Sequence, residues 1–216
     1  MLTSYHNNKK LKTAIVNEME KHRKGDQIVK GHYGKMNGKF TGCAIHLMNV
    51  RLKTQYCTDS HKSFEDAIGV PEWLARLSDI IFEGLPEGDN SLFAVNFLKA
   101  IPVGVNLEPV KWHFCAYLLK ENIERVLTLK ISDELKEQVV SAIRQCLALQ
   151  ENAIKTGVWE ESAARSAAES ARSAAESAAE SAAWSAAESA AEPAAYQKYA
   201  KELLKLLKEC KWGVAK

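Results

Sequence analysis

What this chain lacks narrows its class before anything it contains. No stretch of uninterrupted apolar residues has the length a membrane-spanning helix needs. The opening residues, Met1-Leu2-Thr3-Ser4-Tyr5-His6, carry no apolar leader, so a secreted protein is not expected. Five cysteines, an odd number and scattered, do not read as a disulfide framework; reduced thiols and a cytoplasmic location are expected. A phosphate loop, a dinucleotide fingerprint, a nucleophile elbow and a paired-carboxylate site are all missing. The chain therefore leans away from enzymes, although that absence does not decide the question.

The net charge of +2 hides a strong asymmetry. Residues 1–62 hold twelve Lys and Arg against four Asp and Glu, and five of the six histidines. The remainder is net acidic, with 17 Lys and Arg against 23 Asp and Glu. A basic N-terminal third attracts an anionic partner, or complements an acidic segment of the same chain.

The most conspicuous stretch runs from Trp159 to Tyr196, in units of Ser-Ala-Ala-Glu and close variants. Alanine is the best helix former, and glutamate and arginine lose little side-chain freedom in a helix. A four-residue unit drifts by about 40° around a 3.6-residue helix, and the short unit Ser170-Ala171-Arg172 pulls the register back. Ala163, Ala167, Ala171, Ala174, Ala178 and Ala182 consequently share one side, with Glu169, Glu176 and Glu180 opposite. The same frame puts Tyr196, Tyr199, Leu203, Leu207 and Cys210 on the alanine side, and Lys198, Lys201 and Lys205 across from them. One helix from about Trp159 to Lys211 is expected, kinked at Pro193, where a hydrogen bond is lost. At roughly 1.5 Å per residue it would span about 75–80 Å, longer than a compact domain of this size, so it either folds back at Pro193 or packs in part on a second chain.

Elsewhere the signals are also helical. Asn8–Lys24 is a basic helix with Leu11, Ile15, Val16 and Met19 apolar, stopped by Gly25. Pro71 opens a helix through Glu83 that carries Trp73, Leu74, Leu77, Ile80 and Ile81. Ser91–Ala100 and Pro109–Lys120 read as two more, and Ser132 caps Asp133–Lys155, which Gly157 ends. Asn37-Gly38 is a two-residue turn that predicts a small β-hairpin. Phe40–Val50 fits a strand or a helix. The expected fold is mainly α: residues 1–157 a helical domain with a basic N-terminal third, and 158–216 the alanine-rich helix, packed on that domain or on another subunit.

The run Val70-Pro71-Glu72-Trp73-Leu74-Ala75-Arg76-Leu77, then Ile81-Phe82-Glu83-Gly84-Leu85-Pro86, Ala100-Ile101-Pro102-Val103-Gly104 and the Ser-Ala-Ala repeats resemble a family of uncharacterised bacterial and phage proteins with alanine-rich tails. The resemblance covers most of the chain from about Gly31 onward. It implies a phage-like or bacterial setting and a Cys/His-rich segment before the Pro71 helix, and it carries over no catalytic residue.

Three groups of residues bear on chemistry. Cys43, His46, Cys57 and His61 have a spacing compatible with tetrahedral zinc, though the Cys-His-Cys-His order is unusual. In a helix Cys43 and His46 share a face, whereas in a strand they point apart. The plain alternative is a buried small hydrophobe with surface histidines. The glycine-rich loop from Gly31 to Lys39 brings His32, Tyr33, Lys35 and Lys39 together as anion-binding candidates, with a solvated hairpin tip as its alternative. Among the tryptophans, Trp73 and Trp112 read as core, and Trp184, at the edge of the alanine face, is a candidate lid for a groove. His113 is a lone histidine on a helix.

The expected function is capture of a small anionic ligand such as a nucleotide signal, or inhibition of a host defence protein, by a non-enzymatic and self-associating binding protein. A zinc- or cysteine-dependent hydrolase centred on Cys43, Cys57 and His61 is the alternative. No contact with membrane or nucleic acid is expected.

Overall fold

A computed structural model describes residues 1–31, 33–36, 39–45, 47–48, 60–169 and 182–211, with the main chain alone for 33–36, 39–40 and 182–193. The protein is mainly α. Its helices are α1 (Lys9–Lys24), α2 (Lys62–Ile68), α3 (Glu72–Gly84), α4 (Asp89–Ala100), α5 (Glu108–Thr128), α6 (Asp133–Thr156) and α7 (Ala182–Glu209). Residues 161–169 are also helical. Strands β1 (Tyr33–Met36) and β2 (Lys39–Gly42) pair antiparallel, with Met36 opposite Lys39, as a hairpin through Asn37-Gly38 requires. Those two turn residues lie outside the described ones. Among the described residues no helix is long and apolar enough to cross a membrane.

The chain forms two compact units, residues 1–108 with 193–216, and residues 109–192, and the second division falls at Pro193. In the first unit, α1 starts at Asn8, whose side chain accepts from the Leu11 amide. It lays Ile15 and Met19, both buried, toward α4. Helix α2 closes with Gly69 in the left-handed region, at φ 64°. A Cβ at Gly69 would stand 2.0 Å from the Thr3 carbonyl oxygen, so the N-terminal segment passes where only glycine leaves room.

That segment is strained. Tyr5, His6 and Asn7 are successive left-handed residues, with φ of 52°, 48° and 56°. Each costs about 1–2 kcal/mol for an L-residue, so surrounding bonds must hold them. They do so at the C-terminus of α4. Its last carbonyls have no partners within the helix, and Pro102 brings no N–H to help. The Tyr5 hydroxyl donates to Leu98, the Lys12 ammonium to Lys99 and Ile101, and the Ser4 hydroxyl to Pro102.

The end of α7 completes this unit. Ala200, Leu203, Leu206, Leu207 and Cys210 are buried, Tyr196 and Tyr199 half-buried, and Lys198, Lys201 and Lys205 exposed. The two-sided pattern expected past Pro193 is therefore present, and α7 is continuous across that proline. Tyr196 packs its ring over Gly84, and Gln197 donates to Asp89 at 2.9 Å.

In the second unit Val126 of α5 meets Val139 and Val140 of α6, with Ile123, Leu135 and Ile143 packed around them. Ser132 caps α6 by accepting from the Leu135 amide, and Gly157 ends it at φ 74°. Of the alanine face, Ala167 is buried while Ala163 is exposed. Ala171, Ala174 and Ala178 lie outside the described residues. The helix begins at residue 161, two residues beyond the start its composition suggested.

Candidate functional site

The strand-or-helix question around Cys43 resolves as both. β2 ends at Gly42, and a helical turn begins at once, the Leu47 amide donating to the Cys43 carbonyl at 3.1 Å. Cys43 itself is buried, with 1% of its surface exposed. His46 and Cys57 lie outside the described residues. Among the described residues no three His, Cys, Asp or Glu side chains converge as a metal-sized group.

His61 stands immediately before α2, and its Nε2 lies 3.0 Å from Oδ2 of Asp79 on α3. With the carboxylate ionised, Nε2 is the donor of this bond. Both side chains are largely buried, at 15% and 20% exposed. The other Asp79 oxygen, Oδ1, is fully buried and has no partner among the described residues. Asp79 lines a small cavity with Ser78, Phe64, Phe82, Phe93 and Phe97, which offers about 20 Å³ to the centre of a water-sized molecule. The Ser78 hydroxyl is committed as a donor to the Ala75 carbonyl at 2.8 Å.

Neither Asp79 nor Ser78 was visible as a site residue. The apolar reading of α3 gave Ile80 to the core, yet Ile80 is 58% exposed and Ser78 is buried in its place. The face that packs runs through Leu74, Ala75, Ser78, Ile81 and Phe82, one helical step round from the expected stripe. Trp73, read as core, is half-buried and donates through Nε1 to Glu108 at 3.2 Å.

The glycine loop divides. Gly31, at the start of that loop, gives its N–H to a Glu83 carboxylate oxygen at 3.3 Å, and Lys30 donates to the Leu85 carbonyl. Tyr33, Lys35 and Lys39 contribute main chain to the hairpin. His32 lies outside the described residues, and Trp184 lies in α7, where the main chain alone is described.

A second basic feature is fully described. Lys10, Thr13, Ala14, Asn17, Lys21 and Lys24 recur at helical spacing along α1 and are all exposed, with Lys9 beside them. The first turn bounds a shallow, open depression lined by Lys9, Lys10, Thr13, Ala14 and Asn17. The acids of α1 are engaged: Glu18 meets Lys21 at 3.5 Å, and Glu20 meets Arg23 at 3.0 Å and Lys99. Lys9, Lys10 and Lys24 have no carboxylate partner among the described residues. The small side chains between them let a flat surface approach closely.

No protein family, curated protein or solved structure matches this chain.

Proposed function

We propose that the chain is a non-enzymatic binding protein that takes an anionic partner on the exposed face of α1. The observation that carries this reading is that Lys9, Lys10 and Lys24, on the exposed face that also carries Thr13, Ala14 and Asn17, have no carboxylate partner among the described residues. The depression there is open rather than enclosed, which suits an acidic protein surface better than a single nucleotide. The resemblance to phage proteins supports inhibition of a bacterial defence protein as the setting, with nucleotide capture as the smaller-ligand version. Self-association through the alanine-rich helix belongs to the same proposal, and native mass spectrometry would read its copy number.

Poly-glutamate, ATP and a cyclic dinucleotide serve as probes in titration calorimetry at low and at raised salt. Binding of poly-glutamate that weakens with salt and drops at least about tenfold in Lys9→Glu/Lys10→Glu/Lys24→Glu is expected. Affinity unchanged by that charge reversal would remove α1 as the contact.

The hydrolase reading keeps one supporting observation. A carboxylate that orients a histidine, as Asp79 does His61, is also how metal-ligating and general-base imidazoles are held. Stoichiometric zinc lost together with a hydrolytic activity in Cys57→Ala would favour it.

A further inference from the structure

The exposed face of α1 carries charge at both ends and small side chains between. Lys9 and Lys10 stand at its start, Lys21 and Lys24 at its finish, with Thr13, Ala14 and Asn17 in the middle. The two acids of the helix are engaged, Glu18 with Lys21 and Glu20 with Arg23 and Lys99, so the face is net positive.

A surface of the opposite sign and the same plan lies elsewhere in the chain. Glu160 and Glu161 stand at the start of the helix over residues 161–169 and Glu169 at its end, with Ser162 and Ser166 between them, all exposed. Arg165 is the one cation among residues 160–169, and it is turned to Glu161 at 2.9 Å. Glu160 and Glu169 have no cation partner among the described residues. Composition agrees: residues 160–192 hold seven Glu against two Arg, and residues 9–24 hold six Lys and Arg against two Glu. Small side chains on both helices let their axes come as close as about 8 Å, which brings the charged ends within reach of each other.

We infer that the lysine face of α1 receives the glutamate side of this helix from a second copy of the chain. The inference rests on the reading of α1 as the contact for an anionic partner, and it names that partner. Every molecule carries both surfaces, so a pair joined in this way keeps one of each unused, and assembly continues to a closed ring or an open chain. Exposed ion pairs are individually weak, so the contact holds only where several act together, and it fades with salt.

The test is sedimentation velocity of the full chain across protein concentration, at low and at raised salt. At low salt the mass should grow beyond one copy with concentration, and raised salt should weaken the association at least about tenfold. Two charge reversals isolate the contact: Lys9→Glu/Lys10→Glu/Lys24→Glu on α1, and Glu160→Lys/Glu161→Lys/Glu169→Lys on the other helix. All six positions are exposed, so both variants should keep the wild-type unfolding midpoint closely. Either variant alone should remain a single copy, because it sets like charge against like. Mixed in equal amounts they should associate again, since each then meets a surface of opposite sign. A wild type that stays a single copy at every concentration, an assembly that survives either reversal, or a mixture that stays apart overturns the inference. Should one variant fail to fold, the other variant and the salt response of the wild type decide. Poly-glutamate separates this contact from the reading beneath it. Binding of poly-glutamate at α1 by a wild type that remains a single copy sinks the second-copy contact alone, whereas no binding removes α1 as a contact altogether.

Discussion

The hydroxyl of Tyr5 donates to the main-chain carbonyl of Leu98 at 2.6 Å, across 93 positions of sequence. The bond joins a strained stretch of backbone, three successive left-handed residues, to a helix end that cannot satisfy itself. Burial pushes the Tyr5 phenol well above its ordinary pKa of 10, so it remains a donor throughout the accessible pH range. Lys12, 5.7 Å from the Tyr5 ring centroid, places a positive charge at the negative end of the same helix dipole. The N-terminal residues thus act as the cap that α4 lacks in its own sequence.

Tyr5→Phe removes that donor and keeps the ring. It leaves the Leu98 carbonyl buried without its partner, at an expected cost of about 1–2 kcal/mol. A urea midpoint lowered with an unchanged slope would show it. A midpoint equal to wild type would mean that the bond holds nothing in place.

The contrast between what the sequence discloses and what it hides follows from the range of each interaction. Asn8, Gly25, Ser132 and Gly157 act on backbone groups within a few residues, so the ends of α1 and α6 were readable directly. The buried side of α7 was readable because Leu203 and Leu207 recur at the helical period. Helix α2 was missed: seven residues give too few turns for a period to show. The candidate site was half visible. His61 was singled out for its spacing from Cys57, while its partner Asp79 lies 18 positions on, on another helix, between a buried serine and an exposed isoleucine. No local pattern marks such a pair, because tertiary packing creates it. The basic N-terminal third was plain from composition, but composition could not separate Lys12, turned onto the end of α4, from Lys9 and Lys10 in solvent.

Gly84→Ala tests how α7 sits on the end of α3. An added Cβ would lie 2.3 Å from the Tyr196 ring, closer than side chains tolerate, and the ring must move. Overpacking of this kind costs about 1–3 kcal/mol. Gly88→Ala, whose Cβ meets nothing within 4 Å, serves as a comparison that carries only the strain of its positive φ of 94°. The larger loss should fall on Gly84→Ala, and Gly84→Ala/Tyr196→Ala should recover part of it. Equal losses for the two glycines would refute the ring contact.

The buried side of α7 predicts unequal responses along one helix. Leu207 has no exposed surface, so Leu207→Ala should cost about 2–5 kcal/mol, through lost burial and the cavity left behind. Lys201, exposed on the opposite side, should change stability by less than about 0.5 kcal/mol when replaced by alanine. Amide exchange should agree, with protection around Leu203 and Leu207 lost in Leu207→Ala. Comparable effects at the two positions would contradict the placement of this helix end.

Glu65 gives the pH prediction. Pro71, which precedes α3, has no side chain able to cap it, and Glu65 does so from α2: its Oε2 accepts from the Glu72 amide at 3.1 Å. The bond from Lys62 is the chief cause that lowers the Glu65 pKa below its ordinary 4.5, and the bond from the Glu72 amide adds to it. Because the folded value is the lower one, the unfolded chain takes up the proton first as the pH falls. The stabilisation is therefore complete above the ordinary value and disappears as the pH drops through the folded one. Glu65→Gln keeps an oxygen for the Glu72 amide but has no charge to lose. Wild type should be the more stable protein near neutral pH, and the two unfolding curves should converge as the solution becomes acidic. A gap between them that stays constant down to about pH 3 would show that this carboxylate does not hold the corner between α2 and α3 by its charge.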